Sequence, residues 1–158
     1  KKTPFYFLNR YIKHPYYYYQ VYLIPSPNQK EAALISIRMD RRNNSKVFRI
    51  VDYYGNIEIL NYAGYGLNNI IDKFCVEYID FWSYGIPDKI MNNFGFRIAD
   101  SQQNIIVPNY FEPFENKNNE ILFAYKNTKN LKNKFIICKG DGDQDRPNSF
   151  LKGMKINR

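Results

Sequence analysis

The strongest constraint on the fold is a change in hydrophobic period near Gly55. Three β-rich segments joined by short polar turns precede it: residues 20–24, 32–38 and 47–54. This spacing predicts an antiparallel meander. Beyond Gly55, apolar residues recur at helical spacing and predict a helix at about 66–76, followed by a β-rich run over 78–84. A strand, a helix and a further buried strand predict a parallel crossover. The pattern therefore indicates an α+β domain with a mixed, mostly antiparallel sheet flanked by helices.

The remaining segments give weaker signals. Residues 5–19 begin as a helix that ends near His14-Pro15, because the residue before a proline avoids the helical region. A short helix over 89–94 ends at Gly95. Three further strands are predicted, over 104–107, 120–125 and 134–138. The stretch 139–158 is predicted to be an irregular tail of a single domain that spans residues 1–158.

Composition excludes several classes of protein. Hydrophobic residues make up 44% of the 158 residues, too many for a disordered chain. The sequence has no apolar run long enough to predict a transmembrane helix. Cys75 and Cys138 lack metal-ligand spacing and are interpreted as reduced core thiols of a cytoplasmic protein.

The net charge of +8 is unevenly distributed. Residues 1–50 carry ten Lys and Arg against two acids, whereas residues 51–100 carry three against seven. The basic first third would attract an anion such as a phosphorylated cofactor or a nucleotide sugar, or it is simply a solvated face. Nucleic-acid binding is the weakest hypothesis, because no recognised nucleic-acid motif accompanies the charge.

Two aromatic features near the N-terminus have structural interpretations. The run Tyr16–Tyr19 alternates, which favours packing of alternate rings on the core over stacking on a ligand. His14, the only histidine, is expected to hydrogen-bond to backbone at a helix end.

Three stretches resemble the GNAT (N-acetyltransferase-like) superfamily. They are the strand Val47–Asp52, the strand Glu77–Trp82, and the segment Asn93–Phe96, which resembles the Gly-Phe close of that family's second motif. The resemblance covers about residues 5–125 and implies a GNAT-like sheet. It also implies transfer of an acyl group from acetyl-CoA or another acyl-CoA to an amine.

A narrower resemblance is to GNAT-like proteins found with bacterial lipopolysaccharide and capsule genes. Four segments carry it: Arg10–Pro15, Tyr78–Phe81, Pro108–Pro113 and Lys139–Asn148. It implies an amino sugar or sugar nucleotide as acceptor. It also implies that the chain is the C-terminal half of a longer protein, whose other GNAT-like half is a possible partner.

The acyltransferase hypothesis assigns roles to specific residues. The family's pyrophosphate loop, Gln/Arg-x-x-Gly-x-Gly/Ala, is matched by Asn61 to Gly66, with Gly64 and Gly66 as its glycines and Asn in place of the usual long side chain. Oxyanion-binding amides are expected where the strand ends at Asp52-Tyr53. The position of the tyrosine that often serves as general acid in that family is Met91 in this chain. Tyr84 is therefore the candidate general acid. Glu112 is the candidate base.

Two alternatives remain open at this point. A non-catalytic domain that packs on a catalytic partner, or binds glycan or protein through tyrosines, is the second hypothesis. The alternating acids Asp141, Asp143 and Asp145 are interpreted either as oxygen ligands for a divalent cation or as a turn in which aspartate pairs with Arg146.

Overall fold

The computed structural model describes five stretches of the chain, with Arg42 described by its backbone alone: residues 2–42, 44–99, 105–109, 116–126 and 135–142. Within them the domain is of the α+β class, with a mostly antiparallel four-stranded sheet and a few helices.

The N-terminal segment is helical and lies across the sheet. Helix α1 (Pro4–Phe7) is capped by the side chain of Thr3 and continues as a π-helical turn over Leu8–Ile12. Phe7 and Tyr11 are buried from this segment. The helix ends before Pro15, as predicted.

Three strands then form the predicted antiparallel meander: β1 (Tyr19–Pro25), β2 (Ala32–Arg42) and β3 (Ser45–Tyr54). They lie in the order β1-β2-β3. Strands β2 and β3 are longer than the segments 32–38 and 47–54 predicted. Residues 40–42 pair with residues 45–47, so the turn between the strands is short.

A β-bulge in β3 interrupts this ladder. Ile37 faces Ile50 and Ser36 faces Asp52, so Val51 is the extra residue. A bulge places two successive side chains on one face. Val51 and Asp52 accordingly both point away from the face that carries Ile50, and this puts a carboxylate beneath the N-terminal helix.

The predicted parallel crossover follows. A 3₁₀ helix (Ile57–Tyr62) leads into α2 (Gly64–Phe74), and β4 (Tyr78–Phe81) then pairs parallel to β3. Helix α2 packs an apolar stripe on the sheet, as its spacing predicted. Its C-terminal cap, Cys75, has left-handed backbone and is exposed, so interpreting it as a core thiol was wrong.

The chain then forms β5 (Ser83–Tyr84), helix α3 (Asp88–Asn93) and, after a long interval, β6 (Ile137–Cys138). Strand β6 pairs antiparallel with β5. Residues 105–107 and 120–125 are irregular, so the strands predicted there were wrong. Neither segment pairs with a partner strand in the described residues, and β propensity alone does not make a strand.

The two faces of the sheet differ in chemistry. One face is apolar and packs against the 3₁₀ helix, α2 and α3 through a single core. The other face is covered partly by α1 and carries buried charged residues, among them Arg38, Arg49 and Asp52. A buried polar layer is costly unless its groups are paired. It is therefore the part of the fold where a function is to be sought.

No helix in the described residues is long and apolar enough to cross a membrane.

Gly85 provides a test of how β5 and β6 meet. Its φ is +90°, and a Cβ there would lie 2.2 Å from the carbonyl oxygen of Phe135. We expect Gly85→Ala to lower the free energy of unfolding by about 2 kcal/mol or more, through backbone strain and this clash. Gly142→Ala is the control, because a Cβ there meets no described atom within 4 Å. Equal urea midpoints for the two variants would contradict the proximity of Gly85 to Phe135.

Candidate functional site

The segments behind the narrower resemblance meet on the polar face. Arg10 Nη2 donates to the carbonyl of Gly140 at 3.1 Å, and Lys139 Nζ donates to the carbonyl of Asn109 at 2.9 Å. Arg49 connects Asp80 to the carbonyl of Pro108. Residues up to 130 positions apart in sequence therefore form one polar layer, which is the candidate site.

Arg49 is the centre of a charge cluster, in which three cations are buried and two carboxylates are partly exposed: Arg38, Arg49, Lys139, Asp40 and Asp80. Arg38, Arg49 and Asp80 are register partners across β2, β3 and β4, so they share a face. The Arg49 guanidinium donates to Asp40 Oδ2 at 2.6 Å, to Asp80 Oδ2 at 2.8 Å and to Pro108 O at 2.6 Å. These are charge-assisted bonds of favourable length.

Lys139 adds a third cation to this cluster. Its side chain is buried, and its ammonium donates to Asn109 O at 2.9 Å and to Asn109 Oδ1 at 3.1 Å. Burial, with the nearby Arg49 charge, lowers the pKa of Lys139 to about 8. The carboxylates of Asp80 and Asp40 oppose this shift.

Asp80 lies on the same face of the sheet as Arg49, opposite its apolar neighbours Ile79 and Phe81. Its side chain is 13% exposed, and desolvation raises the pKa of its carboxyl although Arg49 opposes the shift. Burial likewise raises the pKa of Tyr78 to about 12. Among the described residues, Asp80 Oδ1 and the Tyr78 hydroxyl have no hydrogen-bond partner. Such buried, unpartnered polar atoms are uncommon and favour a water or a ligand nearby.

A second network surrounds the fully buried carboxylate of Asp52. Tyr11 donates its hydroxyl to Asp52 Oδ2 at 2.7 Å, and Tyr6 donates to the same oxygen at 3.2 Å. The ammonium of Lys2 and the backbone N–H of Tyr53 donate to Oδ1. This Asp52 network attaches the N-terminal segment to the end of β3.

Lys2 also binds Asp141, with an Nζ–Oδ2 distance of 3.0 Å. Burial lowers the pKa of Lys2, but the charges of Asp52 and Asp141 outweigh it, so the net pKa is raised. Ligand atoms of Asp52, Cys138 and Asp141 lie within 4.8 Å of one another. The Lys2 ammonium binds the carboxylates of Asp52 and Asp141, and it therefore occupies the position that a metal ion bound by both would take. Asp143, Asp145 and Arg146 lie outside the described residues.

The pairing between the parallel strands β3 and β4 stops before Asp52 and Tyr53, where the oxyanion amides were expected. Pairing of β3 with β4 ends at Ile50 and Phe81. Past that point the turn after β6 lies against β3, so that a Cβ on Gly140 would be 2.9 Å from Val51 O. The N–H of Tyr53 donates to Asp52 Oδ1 at 2.8 Å, and its carbonyl accepts from Lys2 at 3.3 Å. This end of β3 is therefore occupied by Gly140, and the Tyr53 amide is engaged.

The expected pyrophosphate loop has a structural role in this conformation. Asn61 Nδ2 donates to Glu58 O at 3.1 Å, and Asn61 Oδ1 accepts from Asn93 at 2.8 Å. Gly64 lies against the end of α3, where a Cβ would be 3.2 Å from Phe94 O. Gly66 is open, with no described atom within 4 Å of a Cβ. A polar cleft of about 530 Å³ adjoins Asn61 and Asn93.

Tyr84 lies in an aromatic surface formed with Phe123, Tyr125 and Phe135. Its ring is 5.1 Å from Phe123 and 5.8 Å from Phe135, centroid to centroid. Tyr125 is 4.5 Å from Phe135. The structure therefore gives Tyr84 aromatic neighbours rather than a place in the polar layer. Glu112 lies outside the described residues.

The N-terminal predictions are confirmed. His14 Nδ1 accepts from the backbone N–H groups of Tyr17 at 2.9 Å and Tyr16 at 3.2 Å. Tyr17 and Tyr19 pack in the smaller core cluster, whereas Tyr16 and Tyr18 are exposed.

Sequence reasoning missed the centre of the site. Arg38 and Arg49 were counted in the basic first third, and Arg49 and Lys139 lie in segments quoted for the resemblances, but none of the three was singled out as a site residue. Alternation along both β-rich segments places Arg38 and Arg49 on the face opposite the apolar residues, so the pattern did not indicate that these two side chains are buried.

Gly64 and Gly66 provide a matched pair of variants. We expect Gly66→Ala to raise the free energy of unfolding by about 1 kcal/mol, because alanine favours the helix and the position is open. Gly64→Ala should be neutral or destabilising despite the same helical gain, because its Cβ contacts the end of α3. Equal stabilisation of both variants in chemical denaturation would show that α3 does not contact Gly64.

Lys139→Met tests the buried ammonium. Because the folded pKa is about 8 and the ordinary value 10.5, the unfolded chain binds more protons between these values. Stability contributed by this group therefore rises as pH increases through that window. Methionine does not titrate. The free energy of unfolding of Lys139→Met minus that of the wild type should therefore fall by about 1 kcal/mol between pH 7 and pH 9.

The free energy of unfolding is measured against pH for both proteins, and the wild-type values are subtracted from those of the variant. This subtraction cancels other titrations, including that of Cys138, whose pKa burial raises to about 12. If the difference in free energy of unfolding between Lys139→Met and the wild type is identical at both pH values, the pKa of Lys139 is not lowered.

Comparison of the chain with protein-family models, with curated proteins and with solved structures found no match in any of the three. The function proposed below therefore rests on the geometry of the described residues.

Proposed function

We propose that this domain is a non-catalytic binding domain in surface-glycan assembly, and that its aromatic surface binds the glycan. The single observation that carries the proposal is that the end of β3, beyond its last pair with β4, is already occupied by other groups of the chain. A thioester cofactor bound there needs free backbone donors. Gly140 lies against Val51 instead, and the Tyr53 amide donates to Asp52.

The aromatic surface provides the complementary positive feature. Tyr84, Phe123 and Tyr125 are each more than two-fifths exposed. Phe123 and Tyr125 are stacked, with an angle of 27° between their planes. The C–H faces of sugar rings pack against aromatic faces, while the phenol groups donate and accept hydrogen bonds. An exposed apolar patch of this kind favours an interaction surface.

Acyl transfer is the second candidate function. One observation favours it: the parallel pairing of β3 with β4 ends beside a bulge at Val51, with helix α2 in the crossover. Residues 138–140 would have to leave the space for an acyl-CoA to enter. An amine of an amino sugar or sugar nucleotide would then attack the thioester carbonyl. A catalytic partner half is compatible with either candidate.

Acetyl-CoA titration separates the two candidates. Trp82, the only tryptophan, lies between β4 and β5 and serves as the fluorescence probe. We expect no saturable change up to millimolar acetyl-CoA. The variant that tests the loop is Gly66→Arg, because Gly64→Arg would collide with Phe94. Micromolar binding that Gly66→Arg abolishes would refute the non-catalytic proposal and favour acyl transfer.

Oligosaccharide titration tests the aromatic surface directly. With chitohexaose as the probe for an amino-sugar glycan, we expect Tyr125→Ala and Phe123→Ala each to weaken binding about fivefold or more, from loss of one stacked ring. Tyr65→Ala on α2 is the matched control, because that side chain is 80% exposed and lies outside the surface. Equal weakening by Tyr65→Ala would place binding elsewhere. Absence of binding to chitohexaose and maltohexaose alike would end the glycan proposal.

A further inference from the structure

The cleft of about 530 Å³ between the 3₁₀ helix and α3 lies outside the aromatic surface. Its volume is in the range of small-molecule sites. The lining combines two oppositely charged groups, two carboxamides, a phenol and an apolar side chain: Glu58, Lys89, Asn61, Asn93, Tyr62 and Ile90. Both walls therefore contribute polar groups to one space.

Hydrogen bonds among the lining side chains hold them in position before any ligand arrives. Asn93 Nδ2 donates to Asn61 Oδ1 at 2.8 Å, and Asn61 Nδ2 donates in turn to Glu58 Oε2 at 2.9 Å. The walls are fixed to each other as well, because Leu60 from the 3₁₀ helix and Ile90 from α3 are buried in the same core. A site organised in advance loses less conformational freedom when it binds.

The charges of the lining favour a neutral ligand. Glu58 and Lys89 contribute one charge of each sign, so the lining has no net charge. A phosphoryl group would be attracted by the Lys89 ammonium but repelled by the Glu58 carboxylate. Within the described part of the chain, Glu58 Oε1 and Asn93 Oδ1 accept no hydrogen bond, so both can accept one from a ligand.

We propose that this cleft binds one uncharged saccharide residue. Sugar hydroxyl groups both donate and accept hydrogen bonds, so they match a lining that offers carboxylate, carboxamide and ammonium groups together. The Tyr62 side chain is 66% exposed, and its ring provides an apolar face for the C–H side of the sugar. The site depends neither on glycan binding by the aromatic surface nor on the absence of catalysis.

The test is an NMR titration of the whole isotope-labelled chain with N-acetylglucosamine and with glucose. We expect both sugars to shift the side-chain amide signals of Asn61 and Asn93, with saturation in the millimolar range. N-acetylglycinamide, a neutral amide without hydroxyl groups, is the ligand control and should leave these signals unchanged.

Two matched pairs of variants locate the site. Tyr62→Ala removes the exposed ring and should weaken sugar binding about fivefold or more. Tyr65→Ala is its control, because that side chain is 80% exposed and does not line the cleft. Asn93→Ala removes one carboxamide and should weaken binding about fivefold. Its control is Asn92→Ala, at an exposed neighbouring position of α3 outside the lining.

The proposal is overturned if neither sugar shifts the Asn61 and Asn93 signals, or if N-acetylglycinamide shifts them as strongly as the sugars do. Equal weakening by Tyr62→Ala and Tyr65→Ala would also contradict it. Backbone amide spectra establish that each variant is folded. Should Asn93→Ala not fold, Tyr62→Ala still decides, because its side chain is exposed.

Phe123→Ala separates this cleft from the aromatic surface. We expect it to leave the affinity for both monosaccharides unchanged, because Phe123 does not line the cleft. Weakening by Phe123→Ala equal to that by Tyr62→Ala would place the monosaccharide on the aromatic surface and overturn the proposal. Failure of chitohexaose to respond to Phe123→Ala would count against the aromatic surface alone.

Discussion

The structure of the polar face depends on the guanidinium of Arg49. It binds Asp40 on β2, Asp80 on β4 and the carbonyl of Pro108, so a single side chain on β3 connects both neighbouring strands and the segment above them. A buried charge of this kind is tolerated only when its partners are well placed. The opposite face needs no such arrangement, because apolar packing against α2 is not directional.

The bulge at Val51 connects the fold to the question of function. It directs Asp52 toward the N-terminal segment, where Lys2, Tyr6 and Tyr11 satisfy the carboxylate. The same irregularity lies where the pairing of β3 with β4 ends. In an enzyme with a cofactor between those strands, this region would supply free amides. Here Asp52 accepts from the neighbouring amide, which is why a binding domain is the better-supported proposal.

Much of the fold was predictable because local patterns and tertiary packing agree. The meander, the crossover and helix α2 follow from hydrophobic period and turn residues. Predictions failed where the local signal was propensity alone, as at residues 120–125, which are β-rich in composition but irregular. The candidate site was less predictable. Asp52 was singled out for its backbone, yet its carboxylate is what the structure uses.

The α+β class and the order of the elements follow from local sequence, because periodicity and turn residues act over a few neighbouring positions. Which charges are buried together depends instead on how distant parts of the chain pack. Arg49 and Lys139 are ninety positions apart, and Lys139 stands in what the sequence predicts to be an irregular tail. Charge pairing depends on distances across the sheet and on burial, which lowers the effective dielectric constant, and neither quantity is a property of local sequence.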